Sequence, residues 1–295
     1  MYFKSFFFSV GLIFFTKFLI AIVIFKLSGE KKTFSEVFIY KDELVDAFVI
    51  STFLCVFIEL LKYHQGSKIL MFLFNIIILV LLLLYHFLAT PLRVIFQKKK
   101  YIEDKELEDI LQEDNLCYSI RIIKGNVTNA FATGFLPYTK VILVGETLYK
   151  KMSREELKAI IYHEIGHLKL GHIRKMFFLG LCSLAVSFAI NRYQTKIVIE
   201  YNLLDTVYEV IMVGMGGLMY GGILVLFSYI FQRRMEYQAD NFAVQKVGAK
   251  LYIQTLNKLN EICDYKMNKG SITHPSIKKR IENAWKTEEK YGFTG

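Results

Sequence analysis

Charge is scarce in this sequence. Asp, Glu, Lys and Arg make up 22% of the 295 residues and 54% are hydrophobic, a balance too apolar for an ordinary soluble domain. Paired cysteines are missing as well. Cys55, Cys117, Cys182 and Cys263 show no paired spacing and two of them lie in apolar runs, which excludes a disulfide framework and suits buried thiols in a reducing or lipid setting. Internal repeats and low-complexity linkers are absent. No small-x-small cleavage site follows the first apolar run, which therefore reads as a retained anchor rather than a removed signal peptide.

What the chain has instead is long apolar runs. Phe6 to Phe25 is interrupted only by Lys17, and neither Ile69 to Thr90 nor Val210 to Phe231 carries a formal charge. Each approaches the roughly 20 residues that a helix needs to cross a bilayer. Two runs are weaker: Ala47 to Leu61 contains Glu59, and Met176 to Ile190 reaches only about 22 Å at a helical rise of about 1.5 Å. The expectation is an α-helical integral membrane protein, with about three spans over 1–96 and a transmembrane hairpin over 176–231. The net charge of +10 suggests nucleic acid at first sight, but its clusters, Lys98-Lys99-Lys100 and Arg233-Arg234, sit where apolar runs end. Anchoring at a lipid bilayer by the positive-inside rule explains them without a nucleic-acid partner, although Lys62 and Lys68 then fall on the outer side. Placing Lys98 to Lys100 in the cytosol puts everything from there to His172, and from Arg233 onward, on the cytosolic side.

Two soluble pieces remain, 97–175 and 232–295. Tyr101 to Gln112 has helical spacing, and Tyr118, Ile120 and Ile122 then alternate with Ser119 and Arg121. A Lys124-Gly125-Asn126 turn, Val127 to Ala132, a Gly134/Pro137 turn and Lys140 to Val144 follow, a pattern that reads as one small antiparallel sheet. Ser153-x-x-Glu156 is a capping box, opening a helix that runs to about Gly171. Gln232 to Val247 (closed by Gly248), Leu251 to Met267 and Ser276 to Lys290 read as three further helices. The soluble part is thus expected to be α+β and helix-rich.

The capped helix carries His163-Glu164-Ile165-Gly166-His167. Residues four apart share a helix face, so both imidazoles can reach one tetrahedral zinc, with Glu164 beside the open position as base toward water. A catalytic zinc takes a third protein ligand. Position 173 is Ile where a long His motif would need its third His, and His172, read as lying on the same helix, would point off the ligand face. Glu200, Asp205 and Glu209 fall across the membrane in the expected topology. Glu236 is the better ligand, because Asp240 lies one turn on, suited to orienting a ligand His through its free N–H.

Over about 97–290 the chain resembles the integral-membrane gluzincin proteases, the group comprising the HtpX heat-shock membrane proteases and the type I CAAX prenyl proteases. The resemblance is carried by the His-Glu-x-x-His helix, Glu236-x-x-x-Asp240 after a hairpin, Asn129-Ala130-Phe131-Ala132, and His274-Pro275 followed by Arg280. It implies a gluzincin-like zinc metalloprotease domain in a bacterial plasma membrane, with the site facing the cytosol. By the same resemblance Asn129 to Ala132 would bind substrate backbone as an added edge strand. His274 and Arg280 would stabilise the oxyanion or hold the site together. Length and layout favour the HtpX side, acting on membrane or misfolded proteins, over CAAX-type processing, although three leading spans exceed the usual two. An intact Glu164 speaks against a non-catalytic sensor or scaffold.

Overall fold

The computed structural model describes residues 100–113, 116, 118–200 and 230–292 except 272, together with scattered positions between 77 and 95. The expected spans Phe6–Phe25 and Ala47–Leu61 lie outside the described residues, as do most of Ile69–Thr90 and Val210–Phe231, and so do Cys55 and Cys117. The chain divides into Met1–Leu84 and Tyr85–Gly295, and every element below belongs to the second unit.

Four strands form one sheet: β1 (Tyr101–Ile102), β2 (Ser119–Ile123), β3 (Ala130–Thr133) and β4 (Val141–Gly145), in the order β1-β2-β4-β3. The expectation of an antiparallel sheet needs correction. β1 and β2 are antiparallel and so are β3 and β4, but β2 runs parallel to β4, pairing Ser119 with Val141 and Ile123 with Gly145. The sheet is mixed because β4, every residue of it buried, takes the centre and displaces β3 to the edge. A Val/Ile/Leu strand with no polar face has no solvated side to offer, so it settles between two neighbours. The turn at Lys124 to Asn126 therefore does not close a hairpin.

Helices cover the sheet. α1 (Lys105–Glu113) packs on β2, α2 (Glu146–Lys151) on β2 and β4, and α3 (Arg154–Lys169) on β3 and β4. Asp104 joins three of these elements. Its Oδ1 accepts from the N–H groups of Glu106 and Leu107 at the start of α1, and its Oδ2 accepts from the Tyr149 hydroxyl of α2 at 2.6 Å and from Arg154 of α3 at 2.7 Å. α4 spans His172–Glu200, residues 230–247 form α5, α6 spans Ala249–Ile262 and α7 spans Ile277–Tyr291. Gly248, at φ +81°, separates α5 from α6 in a conformation that L side chains rarely adopt. α6 lies against both α3 and α7, so the two soluble pieces of the sequence share one core, with Leu157, Ile161, Val244, Tyr252 and Leu256 in it.

The run Met176–Ile190 is the middle of the longer helix α4. Among the described residues no helix is long and apolar enough to cross a membrane. Cys182 on α4 is exposed rather than buried, because it lies on the outer face of that helix; both it and Cys263 are free thiols.

Candidate metal centre

α3 starts where its sequence says it should. The Ser153 hydroxyl accepts from the Glu156 N–H at 3.2 Å, and the Glu156 carboxylate accepts from the Ser153 N–H at 2.8 Å, so both donors of the first turn are satisfied. Leu157, Ile161, Ile165 and Leu168 bury one face in the core and hold the His163/His167 face toward α5 and α6. Gly166 decides how near α5 can come. A Cβ there would stand 3.1 Å from the Ala239 Cα and 3.2 Å from the Phe242 Cβ, so the two helices meet backbone against backbone. That contact sets Glu236, one turn before Ala239, over the two histidines.

The result is a compact donor set in which one ligand atom each from His163, His167 and Glu236 lies within 4.8 Å of the others. The two Nε2 atoms are 3.2 Å apart, Glu236 Oε1 is 3.4 Å from His167 Nε2, and Glu236 Oε2 is 3.7 Å from His163 Nε2. Bonds of about 2.0 to 2.1 Å to a tetrahedral zinc imply ligand separations of about 3.3 Å, so the set fits that ion. The ring nitrogens facing away from this point are also occupied. His163 Nδ1 donates to Asp240 Oδ1 at 3.0 Å, and His167 Nδ1 stands 3.0 Å from His172 Nδ1.

Behind His163 lies a buried polar network drawn from four helices. Asp240, fully buried, accepts from the Tyr252 hydroxyl at 2.5 Å, from Arg280 Nη2 at 2.6 Å and from Arg280 Nε at 3.0 Å. Arg280 Nη2 also reaches the Tyr252 oxygen at 2.9 Å. The guanidinium is therefore committed to Asp240 and Tyr252. Burial alone would raise the Asp240 carboxyl, but the Arg280 charge and the His163 bond hold it well below the usual range. Burial pushes the His163 imidazole down, and the bond to Asp240 together with the Asp240 and Glu236 charges more than offsets this, leaving it raised.

Burial opposes ionisation of Glu236 too, yet its bond with His274 and the nearby imidazoles bring it down to about 2. His274, more than half exposed on the loop before α7, places Nδ1 2.8 Å from Glu236 Oε2. His167 is lowered to about 3, first by burial and then by His163. Glu164 goes the other way: burial, reinforced by Glu236, raises its carboxyl, while the Ala132 backbone N–H bonds to it. A cleft of about 390 Å³ opens beside these groups, lined by Asn129 and Ala130 of the edge-strand side and by Ile160, Leu256 and Leu259. Phe131 and Ala132 continue β3, which has β4 on one side only.

The structure thus brings His163, Glu164, His167, Glu236, Asp240, His274 and Arg280 together, with Asn129 to Ala132 along one side. Sequence reasoning missed two participants. Tyr252 carried no local signal, being one aromatic residue in an amphipathic helix. His172 was weighed only as a ligand on a continuous helix, whereas α3 ends at Lys169 and His172 opens α4.

Two histidines one helical turn apart, a carboxylate from a later helix and a buried Glu between them define a metallopeptidase. The chain belongs to Peptidase family M48, whose sequence profile matches residues 100–288. It is 29% identical over 227 residues to a protein named Protease HtpX homolog from Helicobacter acinonychis (strain Sheeba), covering 66% of this chain and 70% of the relative. It is 27% identical over 175 residues to Protease HtpX from Histophilus somni (strain 2336), covering 52% of this chain and 60% of that one. Among solved structures, S. mikatae Ste24p shares the fold with a TM-score of 0.62 at 22% identity, covering 82% of this chain and 64% of that one.

Proposed function

We propose that the protein is a membrane-bound zinc metalloendopeptidase that cuts misfolded or membrane polypeptides, with its site on the cytosolic face of a bacterial plasma membrane. The observation that carries this reading is the His163, His167 and Glu236 donor set with Glu164 buried beside it at the wall of a cleft. The membrane setting rests on the apolar runs and on Ile95, Phe178, Val186 and Ile230, large side chains that turn outward.

Zinc, when held by His163, His167 and Glu236, supplies a Lewis acid for the scissile carbonyl and lowers the pKa of water there. The chain's own groups do the rest. Glu164, raised by burial, is a stronger proton acceptor than a solvated carboxylate, and the Ala132 N–H fixes its direction. β3 supplies the binding rail. The Gly145 N–H donates to the Asn129 carbonyl, so by the alternation of an antiparallel pair the Ala130 N–H and carbonyl and the Ala132 carbonyl point to the open edge, the Ala132 N–H being taken by Glu164. An extended substrate can add there as a further strand, with Asn129 and Phe131 flanking it. His274 donates Nδ1–H to Glu236 Oε2, so only a ring that carries both protons has an Nε2–H to donate to a developing oxyanion. Arg280 holds the site together through Asp240.

The test is to incubate the purified, detergent-solubilised chain with casein, with and without a chelator, beside Glu164→Gln. Chelator-sensitive cleavage that falls by about 10²-fold or more in a variant still binding zinc supports the reading. Equal cleavage by both proteins rejects it. A prenylated peptide run in parallel separates general proteolysis from tail-specific processing.

A further inference from the structure

Resting on that reading of the centre, we propose that His172 and Gln238 are positioning residues that lock His167 in the tautomer a metal requires. His172 is 2% exposed, and each of its ring nitrogens has one partner: Nδ1 is 3.0 Å from His167 Nδ1, and Nε2 is 3.0 Å from Gln238 Oε1. An amide oxygen only accepts, so His172 Nε2 carries the proton. A neutral imidazole has one N–H, which leaves His172 Nδ1 as an acceptor. His167 Nδ1 must then be the donor, and its Nε2 is bare. That is the nitrogen facing His163 Nε2 at 3.2 Å and Glu236 Oε1 at 3.4 Å, where the metal belongs.

The break between α3 and α4 makes the relay possible. In a continuous helix a residue five positions beyond His167 points elsewhere, since 3.6 residues make a turn. Here the chain turns at Gly171, with φ +68°, and delivers His172 back onto His167. Gln238 sits between Glu236 and Asp240 on α5, so one helix carries a ligand, the support of His163 and the support of His167. The two supports differ in charge. His163 leans on the Asp240 anion, whose charge Arg280 compensates; His167 leans on a neutral chain.

The experiment uses the full chain, zinc-free, with ring-¹⁵N histidine, reading the His167 tautomer by long-range ¹⁵N–¹H correlation and zinc affinity by competition with a chromophoric chelator. His167 should be the Nδ1–H form in the parent. His172→Leu should move it toward Nε2–H and weaken zinc by about 10- to 100-fold, as losses of a ligand's supporting hydrogen bond do. Gln238→Leu should act in the same direction. His172→Asn, whose Oδ1 can accept where Nδ1 did, should recover most of the lost affinity. An Nε2–H His167 in the parent, or unchanged tautomer and affinity in His172→Leu, overturns the proposal. So does equal zinc loss in the Leu and Asn variants accompanied by a lower Tm of the zinc-free protein, which is the mark of a packing role. A parent that shows the Nδ1–H form but cuts no polypeptide rejects the proteolytic activity and leaves the positioning intact.

Discussion

Replacing Arg280 by Met separates two roles that the same residue could play. Met keeps most of the apolar stem and removes three donors: Nε to Asp240 Oδ2, Nη2 to Asp240 Oδ1, and Nη2 to the Tyr252 oxygen. Asp240 is fully buried, so water cannot take the guanidinium's place. Removing one partner of a buried ion pair costs about 3 to 5 kcal/mol, because the other charge is left uncompensated. The expected loss of stability is of that size. The loss should shrink in the Asp240→Asn/Arg280→Met double variant, where no stranded carboxylate remains. Zinc affinity should fall as well, by about tenfold or more, since Asp240 would be freed to rearrange away from His163 Nδ1. Urea unfolding of the zinc-free protein can be followed by the fluorescence of Trp285, the single tryptophan, which lies on the same helix as Arg280. The pH dependence has a definite sign. A carboxylate whose folded pKa is depressed stabilises above its unfolded value of about 3.9 and loses that contribution as pH falls through the folded value. Without Arg280, burial raises the Asp240 carboxyl, so the variant takes up a proton there sooner than the parent and the Arg280→Met penalty should be largest at neutral pH and shrink as pH falls into the mildly acid range. A variant with unchanged stability and zinc affinity but a lower kcat would refute this reasoning and put the guanidinium on the substrate oxygen.

Glu236→Gln should weaken zinc binding far more than Asp240→Asn, because it removes a ligand rather than the support of one; competition titrations of the two variants check the order. Asp104→Ala should cost about 2 to 4 kcal/mol by urea unfolding, since it removes a helix cap worth about 1 kcal/mol and hydrogen bonds from Tyr149 and Arg154. The difference from the parent should be full above pH of about 4 and fade as pH falls through the lowered Asp104 value. Gly166→Leu should lower both Tm and zinc affinity, because the atom it meets is the Ala239 Cα, which can yield only if α5 moves and carries Glu236 with it.

Local chemistry was legible and long-range pairing was not. The capping box at Ser153 and Glu156 forms as its spacing requires, and Gly248 ends a helix where it was expected to. Glu236 could be placed beside His163 and His167 because a ligand and its support recur one turn apart on a single helix. The position of β4 between β2 and β3 had no such signature, since strand order depends on which strand can be buried on both faces, a property of the assembled sheet. His172 and Tyr252 were illegible for a related reason. One depends on a helix break that reverses its direction, and the other on a helix that meets the centre only after the chain has folded back.

The network behind His163 also has a consequence in time. His163, Asp240, Tyr252 and Arg280 come one each from α3, α5, α6 and α7, in that order along the chain. During synthesis the last metal ligand emerges well before the cation that compensates Asp240. A nascent chain, or one clipped ahead of Ile277, holds every ligand and lacks the counter-charge that lets Asp240 stay buried against His163. Such a chain is expected to hold metal less firmly than the finished one, for the reason given for Arg280→Met. The support of the first histidine is thus completed last, by the docking of α7, which brings Arg280 to Asp240 and Tyr252.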